Sequence, residues 1–328
     1  EEHCKAIKTL IKMQLTIGSK RHIGAREDQQ DSVIVLRNND DIFIALGDGM
    51  GGHADGAKAS NFLVTIAQNE FENSEHNDAK VFFNRIIHKT QQELSIYKDQ
   101  SGEDAHTTAA FALIKDNTVH YANIGDSRIY IFENNKLITR SRDHSVPEML
   151  LQQGEISEEE MATHPDQNKL TKSVSGDTPV NVSYGSVNLT PGVRYLVLVC
   201  SDGFWEYVKQ EEMVYWNNNF TVENAMNKMI QIARKRGGSK GDNISLAIAN
   251  VATDKIKQIK KIRVFNRLSF ILLFLLVLGV SLGFLSYFSF FNSIDNNATK
   301  NNLTKQVNQN KGNATQEINV KTSSDKEK

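Results

Sequence analysis

The chain of 328 residues carries 38 Lys and Arg against 39 Asp and Glu, with 39% hydrophobic and 23% charged residues. That balance excludes a wholly disordered or collagen-like polymer. The charge is uneven: residues 255–328 hold 12 basic and 4 acidic side chains, which leaves 26 basic and 35 acidic ones in residues 1–254. So acidic a domain is no partner for nucleic acid, whose affinity comes mainly from cations on phosphates, but it can concentrate metal cations.

Taken in chain order, residues 1–254 read as one domain of alternating blocks. Short β-branched or apolar runs of strand length cover 32–37, 42–47, 109–114, 118–124, 128–132, 194–200 and 244–251. Helical spacing of apolar residues covers 58–71, 79–97 and 222–236, and Val81, Phe82, Ile86, Ile87 and Leu94 are expected to share one face. The polar turns Asp116-Asn117 and 133–135 are short enough to join antiparallel strands. The expected fold is therefore α+β, with helices packed on antiparallel sheets. The cysteines, Cys4 and Cys200, cannot build a disulfide framework, and Cys200 in its apolar run reads as a buried thiol of a reducing compartment.

Beyond this domain the pattern changes. A basic juxtamembrane segment, 255–267, precedes a stretch from Leu268 to Ile294 that contains no charge. About 20 apolar residues in a helix cross a bilayer core, so 268–291 reads as a transmembrane helix. The excess of Lys and Arg on its N-terminal side places the first domain in the cytoplasm. Within the span, Gly279 and Gly283 form a small-xxx-small pair through which two copies would pack as a homodimer. Residues 292–328, rich in Asn, Lys, Gln and Thr, read as a disordered tail on the outer side.

Five aspartates stand at strand ends or in glycine-containing turns: Asp31, Asp48, Asp126, Asp202 and Asp242. Each alone is an ordinary turn residue. Together they supply the oxygen ligands from well-held positions that hard divalent cations such as Mg2+ and Mn2+ require.

The surrounding motifs are Gly24-Ala-Arg26-Glu-Asp-Gln-Gln30-Asp31, Asp48-Gly-Met-Gly-Gly-His53, His106-Thr-Thr-Ala109, Gly125-Asp-Ser-Arg128, Ser201-Asp-Gly203 and Gly241-Asp-Asn-Ile-Ser245. In this order, over about residues 13–252, the chain resembles the metal-dependent protein serine/threonine phosphatases of type 2C (PPM) in their bacterial form. The stretch from Asp143-His-Ser to Gly176 is similar to that family's region around the flap over the active site.

The resemblance implies a β-sandwich of two antiparallel sheets flanked by helices, with the metals in a cleft at one end. It makes Asp48 the carboxylate bridging two Mn2+ or Mg2+ ions, gives the second ion the Gly49 carbonyl, and gives the first Asp202 and Asp242. Asp31 acts through metal-bound water, while Asp126 and Asp202 hold a weaker third ion. Arg26 matches the phosphate-binding arginine, whose planar fork of donors suits two phosphate oxygens.

Two positions depart from the family pattern. Gln30 replaces a common acidic residue, which implies weaker metal binding. Met50 stands where many eukaryotic relatives have a proton-donating histidine, and His53 is expected to point into the structure. Ser201 lacks the Gly-x-Ser-x-Gly setting of a nucleophile, and Phe204 and Trp205 are expected to pack the core. The segment 237–241 reads as the loop that admits Asp242, and Ser157 with Glu160 as a capping box opening a flap helix.

The implied activity is hydrolysis of phosphoserine and phosphothreonine in proteins by a metal-activated bridging water, at the cytoplasmic face of a bacterial inner membrane. The substrates are expected to be those of a serine/threonine kinase. Two alternatives stay open here: a weak or inactive membrane-tethered pseudophosphatase that binds phosphoproteins, and a phosphatase of small phosphoesters.

Overall fold

The computed structural model describes residues 13–50, 54–177 and 179–253, all within the first of the two units into which the chain divides, Glu1–Ile256. Cys4, the loop 51–53 with His53, the basic segment, the expected span 268–291 with Gly279 and Gly283, and the tail lie outside the described residues. Among the described residues no helix is long and apolar enough to cross a membrane.

Two antiparallel sheets form the centre. The first has the order β1 (Met13–His22), β11 (Ile244–Thr253), β10 (Arg194–Cys200), β7 (Arg128–Glu133), β8 (Lys136–Arg140). The second has the order β2 (Asp31–Asn38), β3 (Asp41–Met50), β5 (Ala109–Lys115), β6 (Thr118–Ile124), β9 (Ser183–Asn188), with β4 (His106–Thr107) on the end of β3. On the second sheet lie α1 (Ala54–Asn73) and α2 (Ala79–Ser101); on the first, α7 (Val222–Gly237). Shorter helices α3 (Val146–Gln153), α4 (Glu158–Met161), α5 (Asp202–Trp205) and α6 (Gln210–Asn219) fill the connections.

The period-two geometry of a strand sorts one apolar run into two cores. On β3, Ile42, Ile44 and Leu46 point between the sheets toward Ile129, Val197 and Ala247, while Phe43 and Ala45 point outward to Leu63, Phe82 and Phe83. On the other sheet Leu196, Leu198 and Ile248 meet Met226, Met229 and Ile230 of α7. Strands buried on both faces are why the sequence shows unbroken apolar runs in an antiparallel fold. The expected shared face of α2 holds for Phe82, Ile86, Ile87 and Leu94, but Val81 is 57% exposed. Val81 follows the N-cap Asp78 in the first turn and falls on the solvent side.

The strands missing from the sequence reading are the two-residue β4, and β1, β8 and β9, whose polar residues break the apolar runs. The strand directions give the sandwich two unlike poles. At one lie the hairpin turns, where all non-glycine residues with positive φ among the described residues cluster: Asn39, Asp116, Asn117, Asn134 and Asn135. At the other lie the start of β2, the end of β3, and the segments that follow β1, β6 and β10 and precede β11. That second pole carries every aspartate singled out above.

Candidate active site

Asp31 and Asp48 are direct register partners at the ends of β2 and β3. Like charges so placed repel, and the arrangement makes chemical sense only if a proton or a cation lies between them. Asp126 follows the tight turn at Gly125, Asp202 opens α5 after β10, and Asp242 lies two residues before β11. Asp31 and Asp126 are buried, with 1% and 5% exposure, and Asp48, Asp202 and Asp242 are half-buried. The fold thus brings all five together, two in the wall and three at the mouth.

Their electrostatics follow from desolvation first and mutual repulsion second. Burial pushes the Asp31 carboxyl up to about 7, opposed by the nearby Ser245 and Ser201 hydroxyls and reinforced by Asp202 and Asp242. Asp202 is raised to about 6 by burial and then by Asp242. Asp48 is raised well above the usual carboxylate range by burial, then Asp31, Asp202 and Asp126, and Asp126 by burial, then Asp202 and Asp143. Such a set favours a bound cation over bare carboxylates.

Backbone contacts hold these groups. The Asp48 N–H donates to Thr108 Oγ1 at 2.9 Å, and the Gly49 N–H to the Gln30 carbonyl at 3.2 Å. A Cβ on Gly49 would lie 1.9 Å from the Gly56 carbonyl oxygen, so the entry to α1 presses on this strand end and only glycine fits. Gln30 therefore acts here through its backbone, which also accepts from Ser60 Oγ at 2.5 Å. Ser201 is fully buried; its Oγ donates to Asp31 Oδ2 at 2.8 Å and accepts the Ser245 N–H at 3.0 Å, a support for Asp31 rather than a nucleophile.

The fit to divalent cations rests on the donor chemistry. Every ligand candidate is an oxygen, and Asp31 Oδ1 is buried with no hydrogen-bond partner, an acceptor aimed at nothing in the protein. The side chains are nonetheless drawn onto protein partners. Among the described residues no group of three acidic, histidine or cysteine side chains closes around a common ion position. Asp242 Oδ2 accepts from Arg26 Nη2 at 2.5 Å and its Oδ1 from the Asn243 N–H at 2.7 Å, while Asp202 Oδ1 accepts from the Gly203 N–H. A cation at this pole would share these carboxylates with those donors or draw them away. Arg26 is itself held charged: burial works against it, but Asp242, Asp202 and Asp48 outweigh the loss and raise its pKa.

Several site residues had no role assigned from sequence. Asn243, 3% exposed, accepts from the Gln30 N–H at 2.7 Å and donates to the carbonyls of Ile23 at 2.8 Å and Asp28 at 2.9 Å, clamping the Arg26 loop to the Asp242 strand. Its signal was its place in the Gly241–Ser245 motif. Gly24, at φ +68°, lets that loop approach so closely that a Cβ would meet the Asp242 carbonyl at 1.8 Å. Arg128 is buried in an ion pair with Asp143 and stacks 3.4 Å from the Trp205 ring, whose Nε1 donates to the Asp126 carbonyl at 3.0 Å. Phe204 is wholly buried as expected, and Trp205 packs against the same core while also forming this polar bridge behind Asp126. Glu206, raised to about 8 by burial and then by Asp202 and Asp242, adds a sixth acid beside the cluster. In the flap region Glu160 Oε2 accepts from the Ser157 N–H at 2.7 Å and opens the four-residue α4.

A sandwich that gathers oxygen donors and an exposed guanidinium at a single pole defines the class of metal-dependent phosphatases. The family model described as protein phosphatase 2C matches residues 19–243. The chain is 31% identical over 254 residues to a Streptococcus pyogenes protein assigned to the protein phosphatase 2C type, covering 75% of this chain and 99% of that one. The crystal structure of serine/threonine phosphatase Stp1 from Staphylococcus aureus superposes with TM-score 0.62 at 30% identity, covering 74% of this chain and 95% of that one. The catalytic domain of serine threonine protein phosphatase PstP, solved with two manganese ions, shares the fold at TM-score 0.64 and 24% identity, over 74% of this chain and 100% of that one. The chain belongs to the protein phosphatase 2C family of metal-dependent serine/threonine phosphatases.

Proposed function

We propose that the chain removes phosphate from phosphoserine and phosphothreonine of proteins at the cytoplasmic face of a bacterial inner membrane, to which residues 268–291 anchor it. The observation that carries the chemistry is the convergence of Asp31, Asp48, Asp126, Asp202 and Asp242 on one pole beside Arg26. Asp48 with Asp202 and Asp242 would hold one Mn2+ or Mg2+, and Asp48 with the Gly49 carbonyl a second. Asp31 would act through water, and Asp126 with Asp202 would hold a weaker third. Two divalent cations so held supply an activated water for in-line attack and offset charge on the phosphoryl oxygens.

The protein's own share is positional. Arg26, 54% exposed at the mouth, is free to swing from Asp242 to a phosphoryl group, where two of its N–H donors would grip two oxygens. Asn243 holds the loop from which it swings, and Ser201 fixes Asp31. Met50 has no proton to give a leaving alkoxide, so that proton must come from elsewhere in the site.

The test is phosphate release from a phosphothreonine peptide by the detergent-solubilised full chain with Mn2+, with a chelator and Asp48→Asn as controls. Metal-dependent release lost in the variant supports the reading. Release from a small aryl phosphate but not from the peptide would replace it with a small-molecule phosphatase, and no release from either with a binding module. Flotation of the chain with vesicles tests the anchor separately.

A further inference from the structure

The site and the chain exit lie at opposite poles of the first sheet. Asp242 lies two residues before β11, and β11 runs its ten residues to Thr253, where Met13 of β1 is the register partner. At about 3.3 Å per residue the strand separates the two poles by about 33 Å. Helix α6 stands at the exit pole: Asn217 and Asn250 exchange side-chain hydrogen bonds of 2.9 and 3.0 Å, and Val214, Asn217 and Asn218 line a cavity of about 230 Å³ with Thr16, Val251 and Ala252.

That helix carries an aromatic edge. Tyr215 is 56% exposed and Phe220, just past the helix end, 40%, and Trp216, partly buried against the core behind it, bridges them at centroid distances of 5.1 and 5.2 Å. Immediately after Thr253 come the fourteen residues 254–267, with six Lys and Arg and one Asp, before the apolar stretch begins. Fourteen residues span at most about 50 Å.

Resting on the reading of 268–291 as a membrane span, we propose that the Tyr215–Trp216–Phe220 edge seats in the headgroup layer of an anionic membrane. Tyr and Trp rings, apolar in body and polar at one edge, are the side chains that settle at this depth, and Phe220 adds apolar area to them. The six Lys and Arg of residues 254–267 favour anionic headgroups and hold the chain that follows Thr253 near them. The domain is thereby fixed with its cleft pointing away from the lipid, about 30 Å from it, toward substrates that arrive from the aqueous side.

The experiment uses the full chain reconstituted in vesicles of phosphatidylcholine and phosphatidylglycerol, with and without bromine on the acyl chains. The difference in tryptophan emission between the protein and Trp216→Phe isolates Trp216 from Trp205. Quenching of that difference signal by brominated lipid, about twofold or more, supports the docking. The paired variant Tyr215→Ser with Phe220→Ser, at exposed positions, should abolish the quenching while leaving aryl phosphate turnover unchanged. A chain that floats with the vesicles but whose Trp216 signal is not quenched overturns the docking and leaves the anchor standing. Emission that instead shifts only as protein per vesicle rises identifies a second copy as the occupant and also overturns it. A chain that does not float removes the anchor and the docking with it.

Discussion

Arg26 Nη2 lies 2.5 Å from Asp242 Oδ2, so the residue suited to grip phosphate is bonded to a residue suited to grip metal. A guanidinium and a divalent cation on the same carboxylate repel each other and draw on the same oxygen, so the two compete. The pair is 54% and 35% exposed, and solvent screening limits it to about 1 kcal/mol or less. Arg26→Gln should therefore tighten Mn2+ binding by about two- to fivefold in calorimetry. Its kcat/KM on a phosphothreonine peptide should fall by about 10- to 100-fold, the loss of a charged hydrogen-bonding fork on the transferred group. An unchanged metal affinity would show that the contact has no energetic weight.

Asp48→Asn removes a carboxylate that desolvation and Asp31 already hold well above its usual pKa. In chelator the variant should melt no lower than the parent, because repulsion at the pole is relieved. Added Mn2+ should raise the parent's melting temperature by several degrees, since ligand at about 100 times Kd stabilises by about 2.7 kcal/mol. The variant should lose most of that rise along with turnover, as differential scanning calorimetry with and without metal would record.

Asn243 holds three points of the Arg26 loop to its own segment through its side chain. Asn243→Ala should lower the unfolding free energy by about 2–3 kcal/mol, because buried partners lose their bonds. Turnover should fall even where the protein is fully folded, since the Arg26 loop loses its register against Asp242. Asn243→Asp keeps the acceptor for the Gln30 N–H but not the two donations, and should fall between. Urea titration and steady-state kinetics on the same samples separate the two effects.

His144 gives a pH prediction. Its Nδ1 accepts from the Gly125 N–H at 3.1 Å, so its Nε2 carries the proton toward Ser183 Oγ at 2.8 Å. Burial, then Lys172, lowers its pKa to about 4 from an ordinary 6.5. Between those values the unfolded chain binds the extra proton and the folded one does not, so stability is full above about 6.5 and drains away as pH falls toward 4. The ring is partly solvated, which limits the loss to about 1–2 kcal/mol. His144→Gln should flatten the urea midpoint against pH over this window.

The sequence revealed most where side-chain type and spacing coincide. The runs at 42–47 and 194–200 lie within strands, and all five aspartates reach one pole because each sits at a strand end. It was silent where structure depends on partners far along the chain. β1 is half polar, and its pairing with β11 is set some 230 residues later: Gln14 opposite Ala252, Thr16 opposite Asn250. Asn243 is an ordinary turn residue until the Ile23 and Asp28 carbonyls arrive. The Arg26–Asp242 contact was not foreseen, because a motif names what a residue does at work and not what it touches otherwise.

The placement of β11 has a mechanical side. It is flanked by β1 along ten residue pairs and by β10 along seven, with Asp242 at its inner end. A pull on the chain beyond Thr253 would run along the strand and load both ladders in shear, many hydrogen bonds at once rather than one after another. Tension on the exit segment would then move the whole domain before it reached the carboxylate at the far end of the same strand.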